Sequence, residues 1–168
     1  AKARFVEAGG LAALVAFSSL GAKGRDLTAA LLSSVAMGPA DFSVHVVEAG
    51  GIKPLVEILS TGSAQGNQWS AAALCSLAEK RAETKAPIVA AGALRPLAKL
   101  AHSGSPQGMV WAAKALKALA ADHPGHPGFR QQVEAAGGAE PLRQLERMDG
   151  MVLRSIDAEE DEDDEDAE

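Results

Sequence analysis

Four groups of residues in this chain have types and spacings that could do chemistry: one thiol, two imidazoles, two indoles and a set of glycine corners. Cys75 is the single cysteine. A nucleophilic thiol needs a neighbouring base and a third group that orients the base, and nothing around Cys75 proposes either. It follows Leu74 at a helix-packing position, where cysteine ordinarily serves as a small buried hydrophobe. One cysteine also excludes an internal disulfide, which fits a reducing compartment. His123 and His126 form His-x-x-His inside Asp122-His123-Pro124-Gly125-His126-Pro127-Gly128. Two imidazoles and a carboxylate fall short of the four ligands of a structural zinc site, and no cysteine is nearby. The Pro-Gly content marks a loop instead, so no metal and no cofactor is expected. His45 and His102 fall on helix or loop surface and receive no role. The glycine corners by themselves suggest phosphate loops, yet Gly-x-x-x-x-Gly-Lys is absent, as are Gly-x-Ser-x-Gly and His-Glu-x-x-His. No catalytic residue emerges, and the chain does not read as an enzyme.

The elements that must position these residues are helical. The 168 residues are 47% hydrophobic but only 4% aromatic, with no Tyr, and a chain rich in Ala and Leu favours helices over strands. No apolar run approaches the roughly 20 residues needed to span a membrane, and no basic-then-apolar leader opens the chain. These features point to the cytoplasm, with the nucleus also open to it. The first residue, Ala1, starts inside a helical pattern, so the chain reads as part of something longer. The net charge of −6 is unevenly spread. Residues 157–168 hold ten acids and no base, leaving 16 Lys and Arg against 12 Asp and Glu elsewhere, a balance of +4. The acidic tail buries too little apolar surface to fold and is expected to be disordered. Its role is either solubility or electrostatics, competing with an acidic ligand or engaging a basic partner. Nucleic acid is not an expected partner, because the basic excess is small and no basic cluster is interleaved with aromatics.

One phrase returns four times: Val6-Glu7-Ala8-Gly9-Gly10-Leu11, Val47-Glu48-Ala49-Gly50-Gly51-Ile52, Val89-Ala90-Ala91-Gly92-Ala93-Leu94 and Glu134-Ala135-Ala136-Gly137-Gly138-Ala139. Its first glycines are 41, 42 and 45 residues apart. Three copies run on into Pro-Leu, at Pro54-Leu55, Pro96-Leu97 and Pro141-Leu142. A second phrase keeps the same phase: Leu32-Ser33-Ser34-Val35-Ala36, Leu74-Cys75-Ser76-Leu77-Ala78 and Leu116-Lys117-Ala118-Leu119-Ala120. Each unit reads as three helices. The first ends at the glycine, which tolerates the left-handed turn at a helix C-terminus. The second carries Pro in its first turn and sets Ile52, Leu55, Val56 and Leu59 at helical spacing. The third is long, from about Gly66 to Lys80 in the second unit, with Ala71, Leu74, Leu77 and Ala78 as its buried stripe. The units run approximately over residues 1–39, 40–80, 81–122 and 123–156, the last incomplete, making residues 1–148 the repeat region and 157–168 the tail. At the upstream edge Phe5, Val6 and Leu11 look uncapped.

The phrase Ala49 to Val56, followed in the same unit by Ala72 to Ala78 and returning about every 42 residues, resembles the armadillo repeat, and the resemblance covers roughly residues 2 to 148. Tetratricopeptide and ankyrin units are shorter, and HEAT units generally lack the Gly-Gly-Ile-x-Pro-Leu corner. The resemblance implies an all-α fold, a right-handed α-α superhelix of about three and a half repeats whose third helices line a concave groove. Armadillo proteins such as β-catenin and importin-α grip extended peptides there, commonly through an asparagine late in the third helix. The matching positions are Ser34, Ser76 and Ala118, so the family's peptide clamp is missing or weakened. Importin-α-like proteins also place Trp one turn before that Asn, where this chain has Ala30, Ala72 and Lys114.

The two tryptophans nevertheless follow the repeat. Trp69 and Trp111 are 42 residues apart, with Leu27 in the same register, and each lies seven residues before Ser76 or Ala118. Seven residues is close to two helical turns, so each indole shares a face with that position. An indole pair on a groove is a natural hot spot, although both rings would also serve to cover the loops beneath them. Lys114, one turn from Trp111, adds a positive charge to the groove or is simply solvated. The expected groove is therefore Leu27, Ser34, Trp69, Ser76, Trp111 and Lys114, and the expected partner is a protein or peptide. The reading is a protein-binding scaffold. Its alternatives are the substrate-targeting part of a larger enzyme, such as a U-box ubiquitin ligase or an armadillo-fused kinase, a nuclear import adaptor, or a structural part of a longer array.

Overall fold

A computed structural model describes residues 9–121 and 128–148. Every regular element among the described residues is helical. The elements are α1 (Gly10–Phe17), α2 (Ala22–Ala36), α3 (Ala40–Glu48), α4 (Ile52–Thr61), α5 (Ala64–Lys80), α6 (Lys85–Ala90), α7 (Leu94–Ser103), α8 (Pro106–Ala120), α9 (Phe129–Val133) and α10 (139–148). The second unit comprises α3, α4 and α5, and the third comprises α6, α7 and α8. The first contributes α1 and α2, the fourth α9 and α10.

The corner between first and second helices is built the same way each time. Gly50, Gly92 and Gly137 have φ of 75°, 84° and 98°, the left-handed region where a Cβ costs about 1–2 kcal/mol. The next residue has a different constraint. A Cβ on Gly51 would sit 2.8 Å from Val46 Cγ1, and one on Gly138 would sit 2.6 Å from Val133 Cγ1. The third unit carries Ala93 in this place. The N–H of Gly51 donates to Val46 O at 2.9 Å, whereas that of Ala93 reaches Ile88 O at 3.4 Å. The methyl group has opened the corner slightly without breaking it.

The third helices begin at serine caps. Ser63 Oγ accepts from the N–H of Gly66 at 3.0 Å, and Ser105 Oγ from that of Gly108 at 3.1 Å, which satisfies one of the otherwise unpaired N–H groups of a first turn. The cap at Ser63 is why α5 starts at Ala64, two residues before the start expected near Gly66.

The three third helices stack in order, with α5 packed on both α2 and α8. Leu32, Leu74 and Leu116, one from each, are fully buried. The first helices repeat this with Val46, Ile88 and Val133, the second with Leu55, Leu97 and Leu142. The stripe of Ala71, Leu74, Leu77 and Ala78 is buried as its spacing predicts. Leu11 departs from expectation: it is 3% exposed, because it joins the same apolar core as Leu32. The open apolar side chains of the first unit are instead Phe17, Leu20, Leu27 and Leu31. Phe5 and Val6 lie outside the described residues, as do His123, His126 and the acidic tail. No helix of the described residues is long and apolar enough to cross a membrane.

Candidate partner-binding groove

Three residues in one register, Leu27 on α2, Trp69 on α5 and Trp111 on α8, mark successive steps along the third helices. Leu27 is 54% exposed, and both tryptophans are half-buried. Each indole therefore keeps part of its surface open while the rest is held by the protein. Trp111 packs against the central core cluster. The Lys114 ammonium lies 5.2 Å from its ring centroid, within cation–π range. Beside the indoles, Gln68 Nε2 donates to Gln107 Oε1 at 3.0 Å, linking α5 to α8 at the surface. Neither glutamine stood out in the sequence, since such a link is visible only once the two helices are side by side.

The other expected groove positions behave differently. Ser34 is half-buried and its interactions are already engaged. Ser76 is only 8% exposed, and its hydroxyl donates to Ala36 O at 2.9 Å. Lys80, one turn further on, donates from Nζ to the same carbonyl at 2.8 Å and also to Gly38 O. Together they satisfy the carbonyls left open at the end of α2. In the place where armadillo proteins commonly carry a peptide-binding asparagine, this chain ties one unit to the next.

The remaining chemical candidates take structural parts. Burial pushes the Cys75 thiol up to about 12, with Glu79 adding to the effect, so the thiol stays protonated at neutral pH. His102 Nε2 is 3.1 Å from Gly137 O, and His45 Nδ1 is 3.4 Å from Glu48 on the same helix. No group of three or more metal-ligating side chains gathers among the described residues. The fourth unit has a surface charge network: Arg130 meets Glu134 at 3.2 Å and Glu146 at 3.0 Å, and Arg143 meets Glu140 at 2.8 Å. Glu146, and after it Glu134, hold the exposed Arg130 above its ordinary range.

No family model matches the sequence, and no curated protein does. Solved structures do. A designed armadillo repeat protein superposes with a TM-score of 0.76 at 28% identity, covering 86% of this chain and 60% of its own. A set of computationally designed armadillo repeat proteins for modular peptide recognition gives 0.77, 28%, 86% and 60%. This chain is an armadillo-repeat solenoid. A further designed armadillo repeat protein, solved in complex with the peptide (KR)4, matches with a TM-score of 0.75 at 26% identity, over 86% of this chain and 59% of its own. The solenoid thus spans about 60% of the length of the designed proteins it resembles.

Proposed function

We propose that this solenoid is a scaffold that holds an extended segment of a partner protein across its third helices. The observation that carries the reading is the ladder of Leu27, Trp69 and Trp111, one partly open apolar side chain per unit at a constant register. Adjacent third helices lie about 10 Å apart, while an extended chain advances about 3.3 Å per residue. Every third or so residue of a bound segment would then meet one rung. The indoles supply rigid contact area of the kind that dominates binding energy. A designed armadillo repeat protein of the same fold, solved in complex with a peptide, supports the reading of a peptide-holding scaffold.

The chemistry of the ladder differs from a basic-peptide site. Lys114 sits over Trp111, and neither α5 nor α8 carries an acid in its first turn. A segment with apolar anchors and an acidic residue beside them fits this surface better than a run of lysines and arginines. The backbone clamp is also different, because Ser76 is committed to Ala36. Leu27, Trp69, Trp111 and Lys114 therefore do the holding, with Ser34 and Ser76 supporting the helices behind them.

The test is selection from a library of random twelve-residue peptides against the wild-type chain and the Trp69→Ala/Trp111→Ala variant, with thermal melts run in parallel. Apolar-acidic peptides should be enriched by the wild type and lost at least tenfold in the variant, with a melting temperature that falls by only a few degrees. A variant that loses stability heavily yet retains the same peptides would show that the indoles merely close the stack.

A further inference from the structure

Away from the third-helix ladder, a cavity of about 510 Å³ opens between the second and third units. It lies among the end of α4, the start of α5, one side of α7 and the cap of α8, and both Arg95 and Lys99 line it. Neither cation has a carboxylate partner among the described residues. The first residue of α5, Ala64, and the cap of α8, Ser105, also line the space. Two helix N-termini, the positive ends of their dipoles, thus border the cavity alongside two unpaired cations.

The repeat supplies its own controls. At the junction of the first and second units the residues in register with Arg95 and Lys99 are Lys53 and Glu57, one of each sign; at the next they are Glu140 and Gln144. Only the middle junction has a cation at both of these positions. The caps differ in the same sense. Ser63 donates to the carboxylate of Asp26, 2.9 Å from each oxygen, so an acid already sits at that cap. In the register of Asp26 the second unit has Gln68, which is bonded to Gln107. The Ser105 hydroxyl accepts from Gly108 and has no carboxylate beside it among the described residues. One junction carries its acid in place, and the other has the cations, the cap and the room without the acid.

We propose that this cavity takes the chain's own acidic segment, Asp157 to Glu168. That segment holds ten carboxylates and no base. Met148, at the end of α10, is in register with Ser103 on the cavity rim, one unit along the stack or about 10 Å away. The nine residues from Met148 to Asp157 can span about 30 Å, so several carboxylates reach both cations. Tethering at this length raises the local concentration of the segment to the order of millimolar, well above that of a free acidic partner. The segment is then held at the outer edge, separate from the indole ladder.

The test compares amide NMR spectra of the full chain with those of a full chain whose ten tail acids are changed to Asn and Gln. At about 20 mM salt the amides of Ala64, Ser103, Gly104 and Ser105 should differ between the two, and the difference should vanish near 0.5 M salt. It should also vanish in the Arg95→Glu/Lys99→Glu chain and in the milder Arg95→Gln/Lys99→Gln chain; both side chains are exposed, so the core is untouched. The differences should not change on tenfold dilution. Three results overturn the proposal: no difference at these amides, a difference centred on Trp69, Trp111 and Lys114, or one that disappears on dilution and so belongs to a second copy.

Discussion

The junction between the first and second units and the junction between the second and third have the same backbone and different chemistry. At the first, Ser76 and Lys80 reach back from α5 to the carbonyls ending α2, and Asp26 meets the cap at Ser63. At the second, the position of Ser76 is held by Ala118, which has no hydroxyl, and Gln68 pairs with Gln107 instead. The end of α5 is closed by Thr84, whose hydroxyl bonds to Leu77 O at 2.7 Å, and the end of α8 by Lys85, whose Nζ bonds to Ala121 O at 3.0 Å. Helix stacking thus rests on the repeated apolar residues, while the polar residues that vary between units give each junction its own contacts.

The largest effect should come from the layer that both junctions share. Leu74 is fully buried on the central third helix, and Leu74→Ala should cost about 2–5 kcal/mol through lost contacts and a residual cavity. Leu31 is 44% exposed, whereas Ala73 and Ala115 in its register are fully buried. Leu31→Ala should therefore cost less than about half as much. Denaturant midpoints would settle the ratio, and equal costs would mean that the open side of the first unit is covered in solution.

Next in size is a pH effect at Cys75, on α5 between the two junctions. Its folded pKa is raised to about 12 from an ordinary 9.0. The sign follows from proton binding: above pH 9 the unfolded chain releases the thiol proton while the folded chain keeps it. Stability is fully present below about pH 9 and declines between pH 9 and 12, by at most about 1.4 kcal/mol per pH unit from this group. The Cys75→Ala chain should show a correspondingly flatter decline, measured by urea unfolding across that range; identical slopes would remove Cys75 as the cause.

The corners should respond alike where the junctions do not. Gly50 and Gly92 have similar φ values and open space at the Cβ position. Gly50→Ala and Gly92→Ala should each cost about 1–2 kcal/mol, the price of a left-handed conformation. A marked inequality in unfolding free energy would show that something beyond backbone conformation distinguishes the two corners.

The smallest predicted effects involve a register occupied by three different residues. Thr28 is buried and donates to Leu14 O at 3.0 Å, Ser70 is buried with an unpaired hydroxyl, and Ala112 has none. An unpaired buried hydroxyl is unfavourable, so Ser70→Ala should stabilise the chain by roughly 1 kcal/mol, while Thr28→Val should destabilise it by a similar amount. Matching signs in a calorimetric comparison would contradict that assignment.

The features legible in the sequence are those set locally. Glycine at a left-handed corner, proline in a first turn and leucines at helical spacing each leave a trace within a few residues, and the period multiplies that trace. The contacts that were not legible join residues about 40 positions apart, as in Ser76 with Ala36 or Asp26 with Ser63. Ser76 reads as an open groove residue until its neighbour's carbonyl is in view. Arg95 and Lys99 drew no notice for the same reason, although setting them against Lys53 and Glu57 in register would have marked the middle junction as unusually cationic. The half-buried state of the indoles likewise depends on the neighbouring helices, which periodicity alone does not place.

The central claim is that the indole ladder holds a partner segment. Its most direct measurement is tryptophan fluorescence titration of the full chain with a peptide selected for apolar anchors flanked by an acid, repeated on the Trp69→Ala and Trp111→Ala single variants. The account predicts saturable quenching or enhancement in the wild type, and at least tenfold weaker binding in each single variant followed through labelled peptide. Undiminished peptide affinity in both folded variants would contradict it.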